Sequence, residues 1–138
     1  MPVHSGELRL STAGNGDVVD LTDGVESIVV ASAVQHGAVS VFVPGSTAAI
    51  TLMEYEPGGV QDLGATLDRL VPQQGDYEHN RLNHDSNSHA HIRAAIVGPS
   101  ETIPFERGRL RTGTWQQVVL IDFDDRPRER TVSVQVLS

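Results

Sequence analysis

The chain has 138 residues, a formal charge of -8, a pI near 5.0, ten basic residues that are all arginine, six histidines and no cysteine. That length suits one domain with a single core, and the acidic balance excludes a duplex nucleic-acid binder, which needs a basic face. Without cysteine there is no disulfide, no thiolate metal site and no cysteine nucleophile.

GELRLST, residues 6–12, alternates and predicts a first strand, broken by AGNGD. Within VDLTDGVESIVVASAV the apolar positions Val25, Ile28, Val29 and Ala33 fit a helix. Asp20, Asp23 and Glu26 crowd its start, where the helix dipole favours them. Thr22 is followed by Val25 rather than Glu, an imperfect capping box. AVSVFVP and TAAITLMEY predict short strands separated by Pro44, Gly45 and Ser46. EPGGVQDLGATLDRLVP predicts a second helix, with Pro57 in its first turn, an apolar stripe of Val60, Leu63, Leu67 and Leu70, and Pro72 at its end.

HIRAAIVG, after a histidine-rich segment, is too short to assign. ETIPFERGRL predicts a hairpin turning at Arg107 and Gly108. WQQVVLIDFDD and ERTVSVQVL predict strands joined by the polar turn DDRPR. Strands outnumber the two or three helices, which gives a single α+β domain over residues 1–138 on a mainly antiparallel sheet. The N-terminal MPVHSGELRL has neither a charged nor an apolar targeting region, and no run approaches the roughly 20 apolar residues of a spanning helix. The expectation is a soluble, cytoplasmic protein with no membrane contact.

The segment DYEHNRLNHDSNSHAHIRAA, residues 76–95, holds four of the six histidines: His79, His84, His89 and His91. In an extended segment Asn87, His89 and His91 point to one side. At a helix start only Asn87 and His91 share a face. Imidazole is a common ligand for zinc, but a site needs three or four converging donors, and neither zinc-finger nor HExxH spacing is present.

Glu54 ends an apolar strand and Asp62 lies about a turn into the next helix. Carboxylates there can hold magnesium or act as a general base, although Glu56 and Asp62 equally suit capping and solvation of the helix. PGSTAA, residues 44–49, offers backbone N–H groups and the hydroxyls of Ser46 and Thr47 to an anion, or is simply a turn. GTWQ, residues 113–116, holds the lone tryptophan, Trp115, a residue type found more often in cores than in cofactor contacts.

In order, VFVPGSTAAITLMEYEPG, DL at 62–63, YEH at 77–79, NSHAHIRAAIVGPS and GRLRTGTWQ followed by a terminal strand pair resemble the YjbQ-like family over nearly the whole chain. That family is also called the secondary thiamine-phosphate synthase family. The resemblance implies an α+β fold with a large mixed sheet, assembled as a homotrimer with sites near subunit boundaries. It also implies a weak transferase activity, joining hydroxymethylpyrimidine diphosphate to thiazole phosphate with release of pyrophosphate. By position the site would use Glu54, Asp62, His79 and His91 as catalytic residues. Ser46, Thr47, Asn87, Arg93, Trp115 and Gln116 would bind a small phosphorylated metabolite, and a divalent metal (zinc or magnesium) would be held by His79 and His91, with His89, which the family does not fix, as a compensating donor if the backbone points it inward. One departure stands out: the family usually places a histidine where this chain has Gly45, which removes a nitrogen donor. The rival expectation is therefore a non-catalytic trimer that binds a metal or a phosphometabolite.

Overall fold

In the computed structural model, which describes residues 3–138, β1 (Val3–Thr12), β3 (His36–Phe42), β5 (Ser100–Glu106), β6 (Arg109–Leu110) and β8 (Arg128–Leu137) form one antiparallel sheet in the order β1-β8-β3-β5-β6. A second antiparallel sheet has the order β2-β7-β4, from β2 (Asp17–Asp20), β7 (Gln117–Asp122) and β4 (Ala48–Met53). The helices are α1 (Thr22–Ala31), α2 (Pro57–Leu70), α3 (Glu78–Asn83) and α4 (Ser88–Val97).

The two sheets are patterned differently because they are covered differently. Along β8, Val132, Val134 and Val136 are buried while Thr131 and Gln135 are exposed, since only one face of the large sheet meets the core. Along β7 every residue from Val118 to Asp122 is buried. Its sheet lies between the large sheet on one face and helices on the other. On the first side Val39, Val41, Ile103, Phe105 and the β8 valines pack with Ile50, Val118, Leu120 and α1's Val25 and Val29. On the second, Ala49, Val119, Ile121 and Phe123 meet Leu67 of α2 with Ala90 and Ala94 of α4.

The α+β class and the antiparallel pairing stand, while several details depart from the sequence expectation. The strands divide between two sheets, and the helices number four among the described residues. VVLID and VSVQV lie on interior strands, each paired on both sides. β7 and β8 belong to different sheets, and DDRPR crosses between layers. β2 has four residues, too few for a periodicity to show. α1 stops at Ala31 because Ala33 takes a left-handed φ of 60°. Thr22 does not cap it; its hydroxyl accepts from the Val118 N–H at 3.0 Å and ties α1 to β7. Glu56, by contrast, caps α2 by accepting from the Gly58 and Gly59 N–H groups. Leu70 leaves the apolar stripe and is exposed. No helix of the described residues is long and apolar enough to cross a membrane.

A paired imidazole site beside the 45–47 turn

α4 begins at Asn87, its N-cap, so the histidine-rich segment is helical and Asn87 and His91 share a face. Successive helical residues turn by about 100°. Ala90 and Ala94 face the small sheet, where the buried Ala49 allows close approach. His91 and Ala95 therefore fall on one flank, against the turn at 45–47, and His89 and Arg93 on the other, against the end of α2.

On the first flank the His79 and His91 rings lie 4.6 Å apart between centroids, tilted by 54°. His91 Nδ1 donates to the Ser46 carbonyl at 3.1 Å. His79 Nδ1 donates to Asn80 Oδ1 at 3.3 Å, an oxygen that also accepts the Ser88 N–H at 3.0 Å. Both Nδ1 atoms are thus used by the scaffold, and both Nε2 atoms are left free of it. Both rings are half-buried. Beside His91 is an open pocket of about 230 Å³ walled by Gly45, Ser46, Ala94 and Pro99. A larger groove of about 450 Å³ at Val18, Tyr55 and Val60 has two carboxylates, Asp17 and Glu56. Each already accepts backbone N–H groups, at Ala13 and at Gly58 and Gly59.

On the second flank the side chains are structural. Arg93 is buried; its Nε and Nη2 donate to the Val71 carbonyl at 3.1 and 2.8 Å, and Nη2 reaches Asp68 at 3.0 Å. It satisfies the end of α2 with Nε and Nη2, on the flank away from His91. His89 is 2% exposed and its Nδ1 has no partner. Burial, and then the neighbouring Arg93 charge, hold its pKa below the usual histidine value. Helix geometry places it about 200° from His91, so it cannot share a metal with that residue. His84 takes a left-handed φ of 51° at the end of α3 and is exposed.

Other expected site residues are elsewhere. Thr47 is buried, donating to Asp124 Oδ2 at 3.1 Å and accepting from Arg130 Nη2 at 2.7 Å. Glu54 stands past the far end of β4, roughly 20 Å from Thr47 at the usual rise of a strand. Trp115 and Gln116 share that far end: Met53 pairs with Gln117, Gln116 closes its own turn on Gly113, and Trp115 is 71% exposed. Asp62 is an exposed residue on α2. Within one chain, then, Ser46, Asn87, His79 and His91 gather at one end of the small sheet, and Glu54, Trp115 and Gln116 lie at the other. Among the described residues no three His, Cys, Asp or Glu side chains are placed to hold a metal ion.

Beneath the turn runs a polar network absent from the sequence expectation. Arg130 of β8 forks onto Asp122 of β7 at 2.7 and 2.9 Å, and Thr12 of β1 donates to the same carboxylate at 2.6 Å. Asp124 accepts from Arg128 Nη1 at 2.9 Å and from Asn87 Nδ2 at 3.5 Å. Burial pushes both aspartates up, but their donors outweigh it. Arg130, Thr12 and the Asp124 N–H hold Asp122 below the usual range. The Asp125 N–H, Thr47, Asn87 and Arg128 do the same for Asp124. The available sequence signal was a carboxylate inside a run of buried strand residues, VVLID. Asn80, beside His79 in YEHN, had none beyond adjacency.

The model of the UPF0047 protein YjbQ-like family matches residues 6–138. A UPF0047 protein of Archaeoglobus fulgidus is 40% identical over 131 residues, covering 95% of this chain and 99% of the relative. One from Mycobacterium bovis is 40% identical over 114 residues, covering 80% and 84%. Among solved structures, a YbjQ-like protein of unknown function from Sulfolobus solfataricus P2 superposes with a TM-score of 0.93 at 34% identity, covering 99% of this chain and 98% of that one. A YjbQ/UPF0047 protein from Clostridium acetobutylicum gives 0.87 at 37%, covering 96% and 99%. This chain belongs to the YjbQ-like (UPF0047) family.

Proposed function

We propose that the His79–His91 pair is the working site for a small phosphorylated metabolite, and that its reaction is a slow transfer of the thiamine-phosphate synthase type. The observation that supports this reading is the pair of bare Nε2 atoms, held together by scaffold contacts at both Nδ1 atoms. In such a transfer the thiazole ring nitrogen attacks the methylene carbon of hydroxymethylpyrimidine diphosphate. The C–N bond forms, the C–O bond breaks, and its electrons leave with pyrophosphate. With Nε2 protonated, each ring can donate an N–H to the phosphoryl oxygens and stabilise the departing charge, and one of the two can pass its proton to the leaving pyrophosphate. No covalent intermediate is required.

A resident zinc does not fit the described donors, because two imidazole nitrogens fall short of the three or four that such a site needs. That shortfall favours the second reading, a protein that binds a phosphometabolite and does no chemistry. A homotrimer belongs to the same proposal. The pocket beside His91 is open and smaller than the roughly 300–1,000 Å³ of most small-molecule sites. The exposed Trp115, Tyr55 and Ile96 offer apolar surface for a second copy.

The test is steady-state formation of thiamine phosphate from the two substrates, with and without added magnesium or zinc. Turnover that His79→Ala and His91→Ala each abolish supports the transfer. Saturable substrate binding without turnover supports the binding reading. Light scattering at three times the 14.9 kDa chain mass would support the trimer, and a monomer at all concentrations would refute it.

A further inference from the structure

The turn beside His91 rests on a guanidinium. Arg130 is almost wholly buried, with Nε and Nη2 spent on Asp122 and Nη2 also on Thr47. Nη1 is the nitrogen left over, for among the described residues it donates to none. The buried side-chain atoms without a partner are Asn87 Oδ1 and His89 Nδ1, so Arg130 Nη1 is not completely sealed, although the side chain as a whole is 5% exposed. Nη1 lies against Gly45. A Cβ built at that residue would lie 2.8 Å from Nη1, and the glycine has a φ of +119°, which side chains rarely adopt. The absence of a side chain at 45 is what leaves the nitrogen uncovered.

The same short turn serves both the guanidinium and the imidazole. Gly45 adjoins Nη1, Thr47 accepts from Nη2, and between them the Ser46 carbonyl receives His91 Nδ1. Asp122 and Asp124 are balanced by Arg130 and Arg128, and Asp125 is engaged by the Ser86 hydroxyl. The two aspartates inside the network therefore carry no unbalanced negative charge. A guanidinium is permanently charged and suits phosphoryl oxygens.

We propose that Arg130 Nη1, uncovered at Gly45, is the anion anchor of the His79–His91 site and selects ligands with a phosphoryl or pyrophosphoryl group. This rests on the reading of the histidine pair as a ligand site. It gives Gly45 a role other than a lost ligand: the glycine opens a donor that a bulkier residue would cover.

The probe is inorganic pyrophosphate, titrated into the intact protein with ¹⁵N-labelled arginine and histidine side chains. Through-bond correlation from the backbone of uniformly ¹³C,¹⁵N-labelled protein assigns the Arg130 guanidinium signal, and Arg130→Lys keeps a cation against Asp122. The expected result is a saturable shift of the Arg130 Nη1 signal with the same midpoint as the His79 and His91 signals, while Arg93 stays still. Arg130→Lys should weaken binding by about tenfold or more. If the lysine variant folds poorly, the wild-type titration still decides. Movement of the imidazoles with Arg130 unmoved overturns the anchor and leaves the histidine site standing. Shifts that grow without saturation across the exposed arginines, or no shift at all, overturn both.

Discussion

The two flanks of α4 treat the same side chain in opposite ways. His91, on the flank facing the 45–47 turn, has Nδ1 satisfied by a carbonyl and Nε2 free at a pocket. His89, two residues earlier, is buried with an orphaned Nδ1 and a pKa pushed down by burial and by Arg93. An imidazole becomes available when the scaffold takes one nitrogen and leaves the other open. Burial without a partner only suppresses its charged form. On this division the His89–Arg93 flank, the inner one, and the network beneath the 45–47 turn hold the fold, and the His91 flank, the outer one, is the one we propose for ligand.

The hardest test of that division is Asp122→Ala. It strands the buried Arg130 charge between two sheets, so unfolding by urea should show a loss of about 3–5 kcal/mol. Acid should act on the same group. Asp122 and Asp124 have folded pKa values below their unfolded ones. Their contribution is therefore complete above about pH 4 and is lost as pH falls through the lowered folded values. Next comes Arg93→Ala, which removes charged hydrogen bonds from the Val71 carbonyl. A cost of about 2–3 kcal/mol is expected, discounting the mostly exposed Asp68 partner. Affinity for pyrophosphate should be unchanged. An intact fold that no longer binds would place Arg93 in the site and break the division.

Much of the scaffold was legible because it is periodic. The α2 stripe through Val60, Leu63 and Leu67 and the β8 alternation follow from repeating burial patterns, and the 107–108 turn from its Arg-Gly pair. The site was only half legible. His79 and His91 could be named from residue type and order, but the helical register that separates His89 from His91 depends on where α4 starts. Asn87 marks that start without a side-chain cap bond. Arg93 looked like a phosphate donor until α2 was seen to end beside it. Glu54 and Trp115 looked close to the histidines in the order of blocks, yet β4 runs its full length between them. Arg130 could not be found at all, since its freedom comes from a missing Cβ on a turn more than eighty residues away.

A smaller effect sharpens the outer flank. His91→Ala should leave stability within about 1 kcal/mol of wild type, because the ring is half-buried and makes one scaffold hydrogen bond. Its pyrophosphate affinity should fall about tenfold, equivalent to about 1.4 kcal/mol. Calorimetric titration beside thermal melting reads both. A large stability loss with binding intact would make His91 another structural histidine and erase the contrast.

The smallest expected effect is on His89, and it isolates the inner flank. Its folded pKa is lowered from 6.5, through burial first and the Arg93 charge second, while Asp125, Asp124 and Asp68 act in the opposite sense. As pH falls through 6.5 the unfolded chain takes up a proton at this residue that the folded chain refuses. Stability from His89 is thus present above that value and declines below it, until the folded group titrates as well. Asp122 and Asp124 do not interfere, because their window opens only below about pH 4. Replacing the imidazole by a flexible apolar side chain removes both the proton site and the unpartnered Nδ1, so His89→Met should be neutral to about 1 kcal/mol stabilising at neutral pH. Between pH 7 and 5 it should also flatten the decline seen in the wild type. Urea midpoints across that range give the comparison directly. Parallel curves for wild type and variant would mean that His89 does not resist its proton, and the inner flank would then be open to the same chemistry as the outer one.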